Sequence, residues 1–195
     1  MIHLDGGVLF AQDTFTASQD SRLWLEGRSN VNRFECQANE YNGKAEVTNS
    51  SEIVNGTERF INNLNLRVEI LTEGFDCGKK RMNRDLKNAL KTDQFSKIIF
   101  ELNYTETLSV PDEESNTYSF LVNGDLTVAG VTREIEFHAD GNFMSDGRMH
   151  AAGYKEIKMT DFNVEPPTGL LGLVKADDNL TVHFNLISSQ QLDTR

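Results

Sequence analysis

The chain has 195 residues, 38% of them hydrophobic, with a net charge of −11 and a pI near 4.8. That length holds one domain, or a domain with a short tail. The charge excludes a nucleic-acid face, which needs clustered Lys and Arg, and no stretch approaches the roughly 20 apolar residues of a membrane helix.

Residues 1–20 carry no strong pattern. Residues 7–12 resemble the clipped end of a leader's apolar region, with Leu9 and Ala11 before a cleavage point. The same residues also suit a first edge strand, or residue left by the expressed sequence. From residue 21 the chain begins a strand with Leu23 and Leu25 on one face and Trp24 on the other. Gly27 predicts a bend or bulge, and an extended run resumes through Val31 and Phe34 to Cys36. Residues 39–58 are polar, with turns expected at Gly43 and Gly56 around a weak strand over 45–54. The glycan-acceptor matches at Asn49 and Asn55 carry little weight, since polar turns produce them readily.

Leu64, Leu66, Val68 and Ile70 then alternate without interruption, which predicts a strand. Over residues 78–91 the period changes. Met82, Leu86, Ala89 and Leu90 fall at i, i+4, i+7 and i+8, the stripe of an amphipathic helix. Lys79, Lys80, Arg81 and Arg84 read as the solvated face of that helix. Period two returns at Ile98, Phe100, Leu102 and Tyr104, followed by an acidic turn over 111–116. Residues 120–137 hold two strands joined by a tight corner at Gly130. Asp140 and Asp146 border a loop over 141–147 that lacks the acidic spacing of a calcium site.

A strand over 148–159 precedes Pro166 and Pro167, which forbid regular helix or central strand there. Residues 170–174 form an apolar loop that stays exposed unless covered. Leu180, Val182, Phe184 and Leu186 then close the chain as a strand with those residues inward. The fold expected is all-β: about eight antiparallel strands and one helix, as a closed barrel or a sandwich, with the barrel favoured because it abolishes edge strands.

Cys36 and Cys77 lie about 40 residues apart in segments that could be neighbours in a sheet. A bridge closing that loop would contribute on the order of 4 kcal/mol and would need an oxidising compartment. Two buried reduced thiols are the alternative. His3, His138, His150 and His183 are scattered, with His138 and His183 expected to face outward, and no nucleophile is set beside a base. No enzyme, no metal site and no cofactor is therefore expected.

Four stretches, in order, resemble the YceI-like, polyisoprenoid-binding proteins: residues 27–34 with Cys36, residues 79–91, residues 124–132 and residues 159–168. Asn32 stands where many relatives have a His. The resemblance covers roughly residues 20–187. It implies a lipocalin-like antiparallel barrel with a helix near one mouth, a cavity for an isoprenoid chain, and export to the bacterial periplasm. The barrel domain is expected over 21–187, between an N-terminal segment (1–20) and a tail (188–195).

Two functions follow. The first is binding, with carriage or sequestration, of an apolar isoprenoid-type lipid such as a polyprenyl or a quinone. An acidic surface disfavours docking on anionic headgroups, so the lipid should enter the protein. Burial of roughly 0.8 kcal/mol per methylene holds such a chain with few polar contacts, which suits a chain with twelve Phe and five Met. The expected wall is Phe100, Phe120, Val122, Phe137, Met159, Phe162 and Phe184, with Met82, Leu86, Leu171 and Leu173 closing the mouth. The second is a secreted, stress-related interaction module with a filled core, docking through Trp24 and the loop over 170–174. A homodimer is compatible with either.

Overall fold

Alternating apolar and polar residues leave the backbone one economical solution: an antiparallel sheet rolled up so that its apolar face is inside. The computed structural model describes residues 12–54, 57–111, 116–146, 148–169 and 173–190. The first strands are β1 (Gln12–Ala17), β2 (Arg22–Ser29), β3 (Arg33–Ala38), β4 (Tyr41–Val54), β5 (Thr57–Leu71) and β6 (Phe75–Asp76). Helix α1 (Lys80–Leu90) intervenes before β7 (Lys97–Ser109), β8 (Tyr118–Val128), β9 (Val131–Phe143) and β10 (Met149–Lys158). The short β11 (Thr168–Gly169) and the long β12 (Val174–Gln190) complete the chain. Turns of 3-10 helix occupy Thr72–Gly74 and Met159–Phe162.

The sheet runs β1-β4-β5-β7-β8-β9-β10-β12 and returns from β12 to β1, so the barrel is closed with eight strand positions. The extra strands β2, β3 and β6 prolong β1, β4 and β5 rather than adding a layer. Thr16 faces Lys44 in one pair and Trp24 faces Gln37 in the next, a slip of a single residue along one long ladder. Ser21 sits at that slip and bonds both the N–H and the C=O of Ile187, filling the break between β1 and β2. The strands thus carry the barrel past the expected 21–187 span, back to Gln12 and on to Gln190. Residues 1–11, where a leader remnant was considered, lie outside the described residues, as does Asn55. The side chain of Asn49 is likewise not described.

Local departures from the sequence expectation have visible causes. Gly43 is inside β4, not at a turn, and a Cβ added there would meet Ala17 on the neighbouring β1 at an ordinary contact distance of 3.6 Å. Strand β5 begins at Thr57, well before the apolar run at Leu64, because it pairs with β4 as far as Val54. Tyr104 does not continue the inward series of β7. Leu102 faces Gly124 but Tyr104 faces Asn123, so Asn103 is an extra residue, and the bulge turns Tyr104 out to 53% exposure.

One end of the barrel is solid. Val128, Ala129, Phe162, Val164, Leu90 and Ile98 are all buried there. The corner between β8 and β9 is tight: Ala129 and Gly130 both have positive φ (47° and 78°), the signature of a two-residue turn matched to strand twist. Gly130 also presses on Phe95, whose ring would lie 2.4 Å from an added Cβ. Gly130→Ala should therefore destabilise by more than about 1 kcal/mol, through strain and overlap together, read from urea midpoints at unchanged slope.

A disulfide between Cys36 on β3 and Cys77 ties the entry of α1 to the barrel across 41 residues. Cys36→Ser with Cys77→Ser should cost on the order of 4 kcal/mol, measured by denaturant unfolding against the oxidised protein.

Two carboxylates, exposed Asp76 and half-buried Asp178, pin the same end. Asp76 accepts from Asn83 Nδ2 (2.9 Å) and the Gly78 N–H (2.9 Å), and these bonds hold its pKa below the ordinary value. Asp178 accepts from the Thr160 hydroxyl (2.6 Å) and N–H (2.9 Å), with the same direction of shift. A carboxylate depressed in the folded state stabilises fully above its unfolded pKa, about 3.9, and loses that contribution as pH falls through the folded value. Stability should accordingly fall with acidification below about pH 4, and Asp178→Asn should flatten that fall in pH-dependent thermal melts.

Candidate functional site

Helix α1 is placed by bonds and packing, since its N-cap, Lys79, is extended and makes no side-chain cap. Asn83 performs the anchoring instead: its Oδ1 accepts from the Cys77 N–H (2.8 Å) while its Nδ2 donates to Asp76. The helix ends where Lys91 turns left-handed (φ 54°) and its N–H reaches back to the Asn88 and Lys87 carbonyls. Met82, Leu86 and Ala89 pack on the buried cluster and Leu90 enters it. Every connection at this end joins the same strand termini: the β2–β3 turn, α1, the β8–β9 corner and the Met159–Phe162 turn. The helix therefore lies across one mouth, as the sequence reading expected.

Between α1 and the β2–β3–β12 side of the barrel is an apolar pocket of about 260 Å³. Its floor and walls come from Leu25, Phe34, Cys36, Met159 and Leu180, and α1 supplies Met82 and Leu86. Its rim is polar: Ser29 and Asn32 on one side, and Lys79, Arg81 and Asp85 on the other. Arg81 and Asp85 face each other at 3.7 Å. Asn32, Lys79 and Arg81 are solvent-exposed, so the pocket reaches the surface between them.

Of the expected lining residues, the structure brings Met82, Leu86 and Met159 together in this pocket. Phe162 lies fully buried beside it as part of the barrel plug, at 2% exposure. Phe100, Phe137 and Phe184 form a separate group in the barrel interior, their rings in contact at 5.7 and 5.6 Å between centroids. Val122 is buried opposite Phe137, and Phe120 lies further toward the other end, stacked on Tyr118 at 5.9 Å. Leu173 is 75% exposed at the rim and walls nothing, while Leu171 lies outside the described residues.

The sequence reading missed Leu25, Phe34, Ala176 and Leu180 as pocket residues. Leu25 and Leu180 were legible as inward positions. That they meet under α1 was not, because strand period tells which face a residue takes and not which neighbours lie at its height.

One interior residue has no apolar reason to be there. Lys155 faces Val182, which faces Leu25, which faces buried Cys36, so Lys155 occupies the inner face of β10. Pairing between β9 and β10 stops at Gly153 and Ala139. Just beyond, Lys155 Nζ donates to the Glu136 carbonyl (2.8 Å) and bridges the gap where the strands part.

Reactive groupings are sparse. Among the described residues no three His, Cys, Asp or Glu side chains are arranged to hold a metal. His138 is exposed, and His150 is held between Asn142 and Asn185 at 3.0 and 2.9 Å. His183 lies on the outer face in a column with Trp24 (stacked, 4.8 Å) and Tyr154 (5.9 Å), with the Arg22 guanidinium 4.3 Å above the Trp24 ring.

Several solved structures share this architecture. A polyisoprenoid binding domain from Saccharophagus degradans, implicated in plant cell wall breakdown, superposes with a TM-score of 0.64 at 14% identity, covering 91% of this chain and 98% of that one. BcnA from Burkholderia cenocepacia gives 0.61 at 16% identity over 89% and 99%. A Campylobacter jejuni YceI protein gives 0.54 at 16% identity over 81% and 85%. At such identities the likeness shows the fold. No curated protein matches the chain. The model of the YceI-like domain matches residues 17–187, nearly the whole barrel, and the chain belongs to the YceI-like family.

Proposed function

We propose that the protein binds an apolar, isoprenoid-type lipid and carries or sequesters it, without catalysing a reaction. The observation that carries this reading is the pocket under α1, whose walls are Leu, Met and Phe and whose polar groups are confined to the rim. Such a wall favours a hydrocarbon, with each buried methylene contributing roughly 0.8 kcal/mol and orientation left to a few rim contacts. A structural relative described as polyisoprenoid-binding supports the same class of ligand.

The volume limits how the chain is held. About 260 Å³ is below the roughly 300–1,000 Å³ of ordinary small-molecule sites, so the pocket takes one end of a tail. Accommodating more would draw on Met82 and Met159, whose unbranched side chains repack at low cost. The bonded Cys36–Cys77 pair suits work in an oxidising compartment, and we place the protein in the periplasm or outside the cell.

A second reading, an interaction module with a filled core, is favoured by the contacting rings of Phe100, Phe137 and Phe184, which occupy the middle of the barrel. Native mass spectrometry with added polyprenol or ubiquinone separates the two. The lipid-carrier reading predicts a stoichiometric apolar adduct. It also predicts that Met82→Trp, which fills the pocket, weakens uptake at least tenfold while keeping the thermal midpoint. A clean apo mass at all lipid concentrations would instead assign the protein to the filled-core class.

A further inference from the structure

The charge of this protein is segregated, and the segregation coincides with the pocket mouth. Six of the nineteen Lys and Arg fall within residues 79–91 against one acidic residue, Asp85. The rest of the chain is left with thirteen cations and twenty-nine carboxylates. Because α1 turns Met82, Leu86 and Ala89 to the core, Lys79, Lys80, Arg81 and Arg84 all face solvent. Lys87 is engaged by Glu73, and Asp85 is shared by Arg81 and Arg84 at 3.7 and 3.9 Å. Lys79 and Lys80 have no carboxylate partner among the described residues.

Across the pocket from this helix stand two exposed apolar side chains. Val31, at the tip of the β2–β3 turn, is 65% exposed, and Leu173 is 75% exposed. The turn and the start of β12 are fastened together: Asn30 Nδ2 donates to the Leu173 carbonyl (2.9 Å), and Asn30 Oδ1 accepts from the Lys175 N–H (3.0 Å). Their neighbours Ser29, Asn32 and Val174 line the pocket. The mouth is thus bordered by a basic helix on one side and a braced apolar tip on the other.

We propose that this mouth is a docking face for an anionic lipid bilayer, with Lys79, Lys80, Arg81 and Arg84 on the headgroups and Val31 and Leu173 entering the interface. Basic and apolar groups on one face are the combination that holds a protein at an anionic membrane surface. The acidic remainder of the barrel is repelled by the same surface, which orients the molecule with its mouth down. Docked in this way, the pocket exchanges a tail with the bilayer without passing it through water. The face thereby deepens the lipid-carrier reading, on which it rests.

The test is flotation of the oxidised full chain with vesicles of phosphatidylcholine alone and with 30% phosphatidylglycerol, beside farnesol binding followed by native mass spectrometry. The expected result is binding to the anionic vesicles only, abolished by 0.5 M salt. Lys80→Glu with Arg84→Glu should weaken it at least tenfold, and Val31→Ser should weaken it at unchanged salt dependence. Neither change lies in the pocket wall, so farnesol binding and the thermal midpoint should hold. Equal binding to both vesicle types, or to neither, overturns the proposal, as does self-association through this face in sedimentation. Loss of farnesol binding in the unaltered protein overturns the lipid-carrier reading instead.

Discussion

The ladder between β12 and β1 is the contact on which the rest depends. Phe15, Thr16 and Ala17 pair with Gln190, Ser189 and Ser188, and this short seam converts an open sheet into a ring. Thr16 Oγ1 and Ser189 Oγ lie 2.9 Å apart across it. Closure removes the unpaired edges that would otherwise template association, and it forces eight inner faces toward one axis. What fits inside is then a question of side-chain volume at each height. Glycine appears at the close approaches, as at Gly124, where an added Cβ would meet the Phe100 ring at 2.5 Å.

The two ends of the ring are built differently. At one end the connections are compact and several are buried, so the barrel is plugged by Phe162, Val164 and Leu90 and overlaid by α1. The helix is fastened at its entry by the Cys36–Cys77 bond and the Asp76–Asn83 contact, and along its length by packing and the Lys87–Glu73 ion pair. A pocket between a packed helix and a strand wall can adjust by small movements of Met82 and Leu86, whereas the hydrogen-bonded wall cannot.

Much of this was legible in the residues. The inward series Leu66 to Ile70 and Leu180 to Leu186, the amphipathic stripe of α1, the corner at Gly130 and the outward Trp24 each follow from period and turn chemistry, whereas Leu64 is left exposed. The resemblance in four ordered stretches reached the family. Less was visible of the site. Phe100, Phe137 and Phe184 and the pair Met82 and Met159 are equally apolar in sequence, yet the first group fills the interior and the second walls a pocket. No sequence signal set Lys155 apart, and the pairing through Val182, Leu25 and Cys36 shows it facing in. The overall charge of −11 is a sum over the chain, while six of its nineteen cations collect within residues 79–91.

By itself, then, the amino-acid sequence determined the all-β class, the single helix, the face taken by most side chains and the family, because these depend on periodicity and local turn preference. The tertiary structure alone decided the closure of β12 on β1, the bulge that turns out Tyr104, the assembly of Leu25, Met82, Met159 and Leu180 around one pocket, and the meeting of a basic helix with an apolar tip at its mouth. Those features depend on which strands become neighbours and at what register, and a residue carries no mark of its distant partner until the chain has closed around it.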